Sequence, residues 1–333
     1  MNQSFKLCLI TATLMTNVCA QQMAWQDPSR HHVQFVEVES NVKLEVLDWG
    51  GSGRPVVLLA GYQTAHIYDD FAPKLAESFH VYGITRRGYG ASSRPAEGYS
   101  AQRSADDVLA VLDSLKLEKP ALAGHSWGGQ DLTIVGADHP DRVAGLVYLN
   151  SAEDPTLTLF DYGLKPMDLS KLPASMRTPD KPDFRSFQAY REWQSKAHGV
   201  AYPESELRQM YTANPDGTVG RFLGSQKVRD AIFAGRRKPD FARIRVPVLA
   251  FFASPTSLGQ EMEKYKPQND DERMAMEQNY PGTITIWDRH VRDLQAGVPG
   301  ARVLALPDAN FYIFLSNQDD ILREMRKFAA TLH

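Results

Sequence analysis

The sequence predicts an α/β fold, a mostly parallel central sheet with crossover helices and one helical insertion, and three observations carry that expectation. Short apolar, β-branched runs alternate with segments of helical periodicity from about residue 32 to the C-terminus. Two of the runs, Pro55 to Ala60 and Val143 to Leu149, lack polar residues altogether, as strands covered on both faces do. One stretch, Ala152 to Arg243, interrupts the alternation with prolines, aromatics and polar residues, and it is too long for a plain loop in a compact domain.

The elements follow in order. His32 to Glu39 and Val42 to Trp49 read as a hairpin, closed off by the Gly50-Gly51-Ser52-Gly53 turn. Ile67, Phe71, Leu75 and Phe79 are spaced for a helix over Thr64 to Ser78, and Phe79 to Ile84 reads as the next strand. Val108, Val111, Leu112 and Leu115 share one face of a helix over Ser100 to Leu115. Strand-like runs recur at Ala121 to Ala123, Val143 to Leu149, Val246 to Phe252 and Arg302 to Leu306. Ser254 to Pro281 reads as irregular, and a final helix spans Gln318 to Leu332.

Residues 1–20 carry the marks of a cleaved signal peptide: basic Lys6, apolar Leu7 to Met15, and the small-residue site Val18-Cys19-Ala20 before Gln21. The expectation is a secreted or periplasmic protein with no stable membrane insertion after cleavage; acylation of Cys19 is the alternative, which Asn17 and Val18 suit poorly. The rest divides into core residues 21–151, a lid insertion at 152–243 and core residues 244–333. Both cysteines, Cys8 and Cys19, lie in the signal segment, so the mature chain has no thiol catalysis, disulfide or Cys-ligated zinc. A net charge of −3 among 333 residues, with no basic block, excludes nucleic acid as an expected partner. No metal-ligand spacing, phosphate loop or dinucleotide fingerprint is legible, so no cofactor and no metal are expected.

The chemistry-bearing motif is Gly124-His125-Ser126-Trp127-Gly128-Gly129, between an apolar strand and a helix. A serine on such a turn stands exposed at a helix N-terminus, and the flanking glycines let strand and helix approach closely. This motif, the segment Leu59 to His66 and the run Tyr82 to Ser93 with its Arg87-Gly88-Tyr89-Gly90-Ala91-Ser92 core resemble the α/β-hydrolase superfamily from about residue 33 to the C-terminus. The resemblance implies Ser126 as nucleophile and the backbone N–H groups of Tyr62 and Trp127 as oxyanion donors. It also implies an acid after the sixth or seventh strand and a histidine after the eighth.

There the chain departs from the pattern. Phe311 occupies the histidine position, Asn150 the acid position after the sixth strand, and Ser254-Pro255-Thr256 follows the seventh. Glu153 or Asp154 remains as a possible acid, and His66, His125, His139 and His290 as possible bases, His66 being nearest to the pocket-bordering loop. Two readings follow. One is an esterase-like serine hydrolase with an unrecognised base; the other is an impaired pseudo-enzyme that binds a small apolar ligand under the lid. Phe184, Phe187, Tyr190 and Trp193 would line such a pocket or simply pack the lid onto the core.

Overall fold

A computed structural model describes residues 25–166, 168–177 and 181–332. The expected signal segment, its cleavage after Ala20 and both cysteines lie outside the described residues. The chain enters through the expected hairpin, β1 (His32–Glu39) and β2 (Val42–Gly50), joined by a turn in which Asn41 takes φ 64°. The apolar run becomes β3 (Pro55–Leu59), buried on both faces.

The helix expected over Thr64 to Ser78 is instead a 3-10 turn, Ala65–Tyr68, followed by the four-residue α1 (Ala72–Leu75). Pro73 has no N–H to bond back into the preceding turn, so the segment cannot run on as one helix. Its apolar spacing still serves burial: Ile67, Phe71 and Leu75 are inaccessible to solvent.

β4 (His80–Ile84), α2 (Ala101–Ser114), β5 (Ala121–His125), α3 (Trp127–Asp138) and β6 (Gly145–Leu149) follow as regular crossover units. Ser100 caps α2 by accepting from the Arg103 N–H at 3.2 Å. The long excursion after β6 carries α4 (Phe187–His198) and α5 (Glu204–Met210), the antiparallel ribbon β7 (Tyr211–Ala213) and β8 (Val219–Phe222), and α6 (Gln226–Ala234). The ribbon was not expected there; Asn214-Pro215-Asp216-Gly217, with Gly217 at φ 85°, supplies its turn.

The chain returns through β9 (Val248–Ser254). The stretch expected to be irregular, Ser254 to Pro281, instead holds α7 (Leu258–Tyr265) and the first part of the 28-residue α8 (Asp270–Gly297). Ser257 and Asn269 cap the two helices, and Asp270, Asp271 and Glu272 place negative charge at the positive end of α8. These signals outweigh Pro281, which lies inside α8. β10 (Arg302–Pro307), α9 (Ile313–Ser316) and α10 (Gln318–Ala329) complete the chain.

The eight-stranded sheet has the order β1-β2-β4-β3-β5-β6-β9-β10, with β2 antiparallel to both neighbours and the strands from β4 to β10 parallel. Helices cover both faces. Val108, Leu112, Leu132 and Leu294 pack on one side, and Phe71, Phe314, Met325 and Phe328 on the other. Among the described residues no helix is long and apolar enough to cross a membrane.

Candidate active site

The carboxyl ends of the parallel strands bring the predicted residues together. β5 ends at His125, and Ser126 follows with φ 51° and ψ −125°, a backbone conformation that costs a non-glycine residue on the order of 1–3 kcal/mol. The glycines make the turn possible: a methyl at Gly128 would stand 2.1 Å from the Leu59 carbonyl oxygen, and one at Gly124 2.5 Å from the Gly128 oxygen. Gly61 closes over the serine, since a methyl there would lie 2.9 Å from Ser126 Cβ and 3.1 Å from its Oγ. Ser126 does not cap α3 with its side chain, and among the described residues neither its Oγ nor the Tyr62 and Trp127 amides bond to another protein group. Two N–H groups are therefore open beside a free hydroxyl, as the expected oxyanion site requires. The Tyr62 and Trp127 rings pack 5.4 Å apart, with Tyr89 stacked on Tyr62.

The run after β4 positions this turn through two buried ion pairs. Arg86 bonds Asp131 of α3 at 2.5 Å. Arg87 grips Asp107 of α2 with two bonds of 2.6 and 2.7 Å.

The loop after β10 meets the loop after β6, as the family pattern requires of its histidine and acid. Asn150 donates from Nδ2 to the Phe311 carbonyl at 3.2 Å and accepts from the Ala253 N–H at 2.9 Å. The Phe311 ring, 49% exposed, leans on His125 with centroids 4.7 Å apart. Neither residue can move a proton.

Among the described residues no candidate base bonds to Ser126. His125 is fully buried among Phe311, Tyr312 and Phe314, and its Nε2–H donates to the Phe311 carbonyl at 3.1 Å. Burial pushes it down to about 4, with the Phe311 bond opposing. His66 faces Asp69 at 3.1 Å and Glu45 at 3.5 Å. Burial disfavours its charge, but the two carboxylates outweigh burial and raise it to about 10, and its ring nitrogens face Asp69, Glu45 and Gln209, with no bond to Ser126. His139 caps the far end of α3. His290 lies on α8 against the Tyr162 hydroxyl at 3.0 Å, and burial lowers its pKa.

The buried His125 makes stability depend on pH. An unfolded imidazole takes up a proton below about 6.5 while the native one does not until about 4, so stability should fall as pH drops through that window, by about 3 kcal/mol. Urea unfolding of wild type and His125→Asn should show their free-energy difference narrowing by that amount between pH 7.5 and 4; a constant difference would mean that His125 is open to water.

A cavity of about 640 Å³ opens beside these loops, lined by Asn150, Glu153, Phe252, Trp287, His290 and Phe311 among others. α7 and α8 form one wall, and Leu172 and Met176 of the insertion another. Burial pushes the Glu153 carboxyl up to about 7, so it is partly neutral in this apolar setting. The Trp287 indole N–H is buried without a partner. α7 and the first part of α8, read as irregular from sequence, thus help to wall the cavity, and nothing in the local pattern marked Trp287 as a lining residue. The aromatics named for the lid pack elsewhere: Phe187 and Tyr190 form their own cluster with Leu207, Val219 and Trp193.

Comparison with known proteins gives the family. A family model described as alpha/beta hydrolase fold covers residues 54–277. The chain is 35% identical over 229 residues, 65% of this chain and 78% of the other, to the AB hydrolase superfamily protein YisY of Bacillus subtilis (strain 168). It is 37% identical over 119 residues, 34% of this chain and 37% of the other, to epoxide hydrolase A of Mycobacterium tuberculosis (strain ATCC 25618 / H37Rv). Solved structures with the same fold include E-2-(acetamidomethylene)succinate hydrolase, with TM-score 0.64, 18% identity, and coverage of 90% of this chain and 99% of that one. A bromoperoxidase from Bacillus anthracis superposes with TM-score 0.58 and 17% identity over 90% and 100% of the two chains. The strand order, the strained serine turn after the fifth strand and a family match over most of the chain together establish that this protein belongs to the α/β-hydrolase fold family.

Proposed function

We propose that this protein is an exported, ligand-binding member of the family in which ester turnover is disabled: it holds a small apolar organic molecule in the cavity beside Asn150 and Phe311, beneath residues 152–243 acting as a lid. The observation that carries this reading is the pairing of Asn150 with Phe311, an amide and a phenyl ring where acid and base would stand. A serine hydroxyl without a base is a poor nucleophile, and loss of triad members costs on the order of a millionfold in turnover. The cavity supports binding in their place. Its volume of about 640 Å³ suits a small molecule, its walls carry Phe252, Met276 and Trp287, and the unpartnered Trp287 N–H favours a ligand with an acceptor oxygen. Export rests on the segment before Gln21, and N-terminal sequencing of the secreted or periplasmic protein should begin there.

Intact-mass analysis after exposure to a fluorophosphonate tests the reading. Wild type should stay as unlabelled as Ser126→Ala, while small aromatic and aliphatic esters raise the melting temperature and are recovered unhydrolysed. Stoichiometric labelling of wild type that Ser126→Ala abolishes would overturn it in favour of a serine hydrolase with an unrecognised base.

A further inference from the structure

Among residues that do not line the cavity, two short sequence pairs meet. Asp27 and His31 come from the segment leading into β1, and His66 and Asp69 from the 3-10 turn after β3. We propose that these four residues form a binding site for a divalent cation of the zinc class.

The geometry carries the assignment. One ligand atom from each residue can be chosen so that all lie within 4.8 Å of one another. His31 Nδ1 is 2.9 Å from Asp69 Oδ1, His66 Nδ1 is 3.1 Å from Asp69 Oδ2, and His66 Nδ1 is 3.5 Å from Asp27 Oδ2. Ligands about 2.0–2.1 Å from a tetrahedral zinc stand roughly 3.3 Å apart; the two histidines face different oxygens of Asp69, and the span of 4.8 Å across one atom from each residue is short enough to close on one ion by small side-chain rotations. Two imidazoles with two carboxylates suit zinc or a similar transition metal better than calcium or magnesium, which prefer oxygen alone.

The surroundings point the same way. Asp69 also accepts from Trp49 Nε1 at 3.0 Å and Ser205 Oγ at 2.5 Å, an outer layer that fixes the carboxylate's direction. Buried Glu45 adds a third carboxylate, 3.5 Å from His66 Nε2. Among the described residues no lysine or arginine pairs with Asp27, Glu45 or Asp69. Three carboxylates thus converge on two imidazoles, an arrangement that a divalent cation suits. Asp27, with its side chain 27% exposed, stands at the rim and gives the ion a way in. The bound ion would clip the start of the folded chain to the turn that follows Tyr62, and through Ser205 to α5, in a mature chain that has no cysteine for a disulfide.

The test uses untagged protein of residues 21–333, stripped with chelator and titrated calorimetrically with zinc chloride, with metal content measured after dialysis. One zinc per chain should bind and raise the melting temperature. Asp27→Asn and His31→Gln should each weaken binding by about a hundredfold, whereas His32→Ala, whose side chain is exposed on β1, should not change it. His31→Gln keeps an N–H donor for Asp69, and Asp27→Asn touches only the rim, so at least one variant separates lost ligation from lost folding. Absence of saturable binding to wild type, or binding unchanged in both variants, would overturn the site and leave a purely hydrogen-bonded cluster.

Discussion

Phe311→His combined with Asn150→Asp is expected to raise hydrolysis of a small activated ester at least about 10²-fold over wild type, while either change alone gives little. The scaffold for the gain exists: Ser126 holds the strained turn, Gly61 lies against it, and the Tyr62 and Trp127 amides are open. An aspartate at 150 can still accept the Ala253 N–H that Asn150 accepts at 2.9 Å, and that bond orients it toward the loop of residue 311. It gives up the donor to the Phe311 carbonyl, but His125 Nε2 still donates to that oxygen at 3.1 Å. A lone histidine at 311 would have no carboxylate to set its tautomer, and a lone aspartate would have no imidazole to orient. The ceiling is high, because a complete triad is worth about a millionfold in turnover. Initial rates for the four proteins against p-nitrophenyl acetate give the answer, with Ser126→Ala in the double-variant background as control. A flat result with the fold intact would remove the assignment of Phe311 and Asn150 to triad positions.

Asp107→Ala is expected to cost about 3–5 kcal/mol of stability, since removing one partner of a buried ion pair strands the other charge. Arg87 and Asp107 are 2% and 4% exposed, and their two-pronged contact at 2.6 and 2.7 Å joins the loop after β4 to α2. Arg103 also leans on Asp107 at 2.9 Å, so two guanidinium groups lose their acceptor together. Glu39 remains near Arg87 at 3.0 Å, but it is 38% exposed and worth far less. Denaturant unfolding should therefore show a large drop in midpoint at unchanged slope. A loss below about 1 kcal/mol would mean that water or Glu39 replaces the carboxylate.

What the sequence disclosed follows from how local each signal is. Pro55 to Leu59 and Gly145 to Leu149 declared central parallel strands because burial on both faces leaves no polar residue in the run. Ser126 was legible because the strained turn demands its glycines, and the positions of Phe311 and Asn150 because each follows a recognisable strand. α7 and α8 were hidden because their caps are scattered polar residues and Pro281 sits where a helix is usually ended. The short ribbon β7–β8 was hidden because two brief strands carry too little periodicity. Asp27, His31, His66 and Asp69 come together only through packing of the chain start against the turn after β3, a contact that leaves no trace in spacing.

The proline inside α8 has a consequence for how ligands can be found. Pro281 leaves the carbonyl one turn before it without its helical donor, and along 28 residues only Ala275, Met276 and Leu294 are buried. The stretch between them spans the cavity through Tyr280, Thr283 and Trp287, and only Trp287 and Val291 of it rest on the core. It should therefore open at lower cost than the sheet, and its amides should trade hydrogen for deuterium ahead of the sheet's. A molecule filling the cavity would slow that exchange, so the helix reports its own ligand before anyone knows the ligand's chemistry.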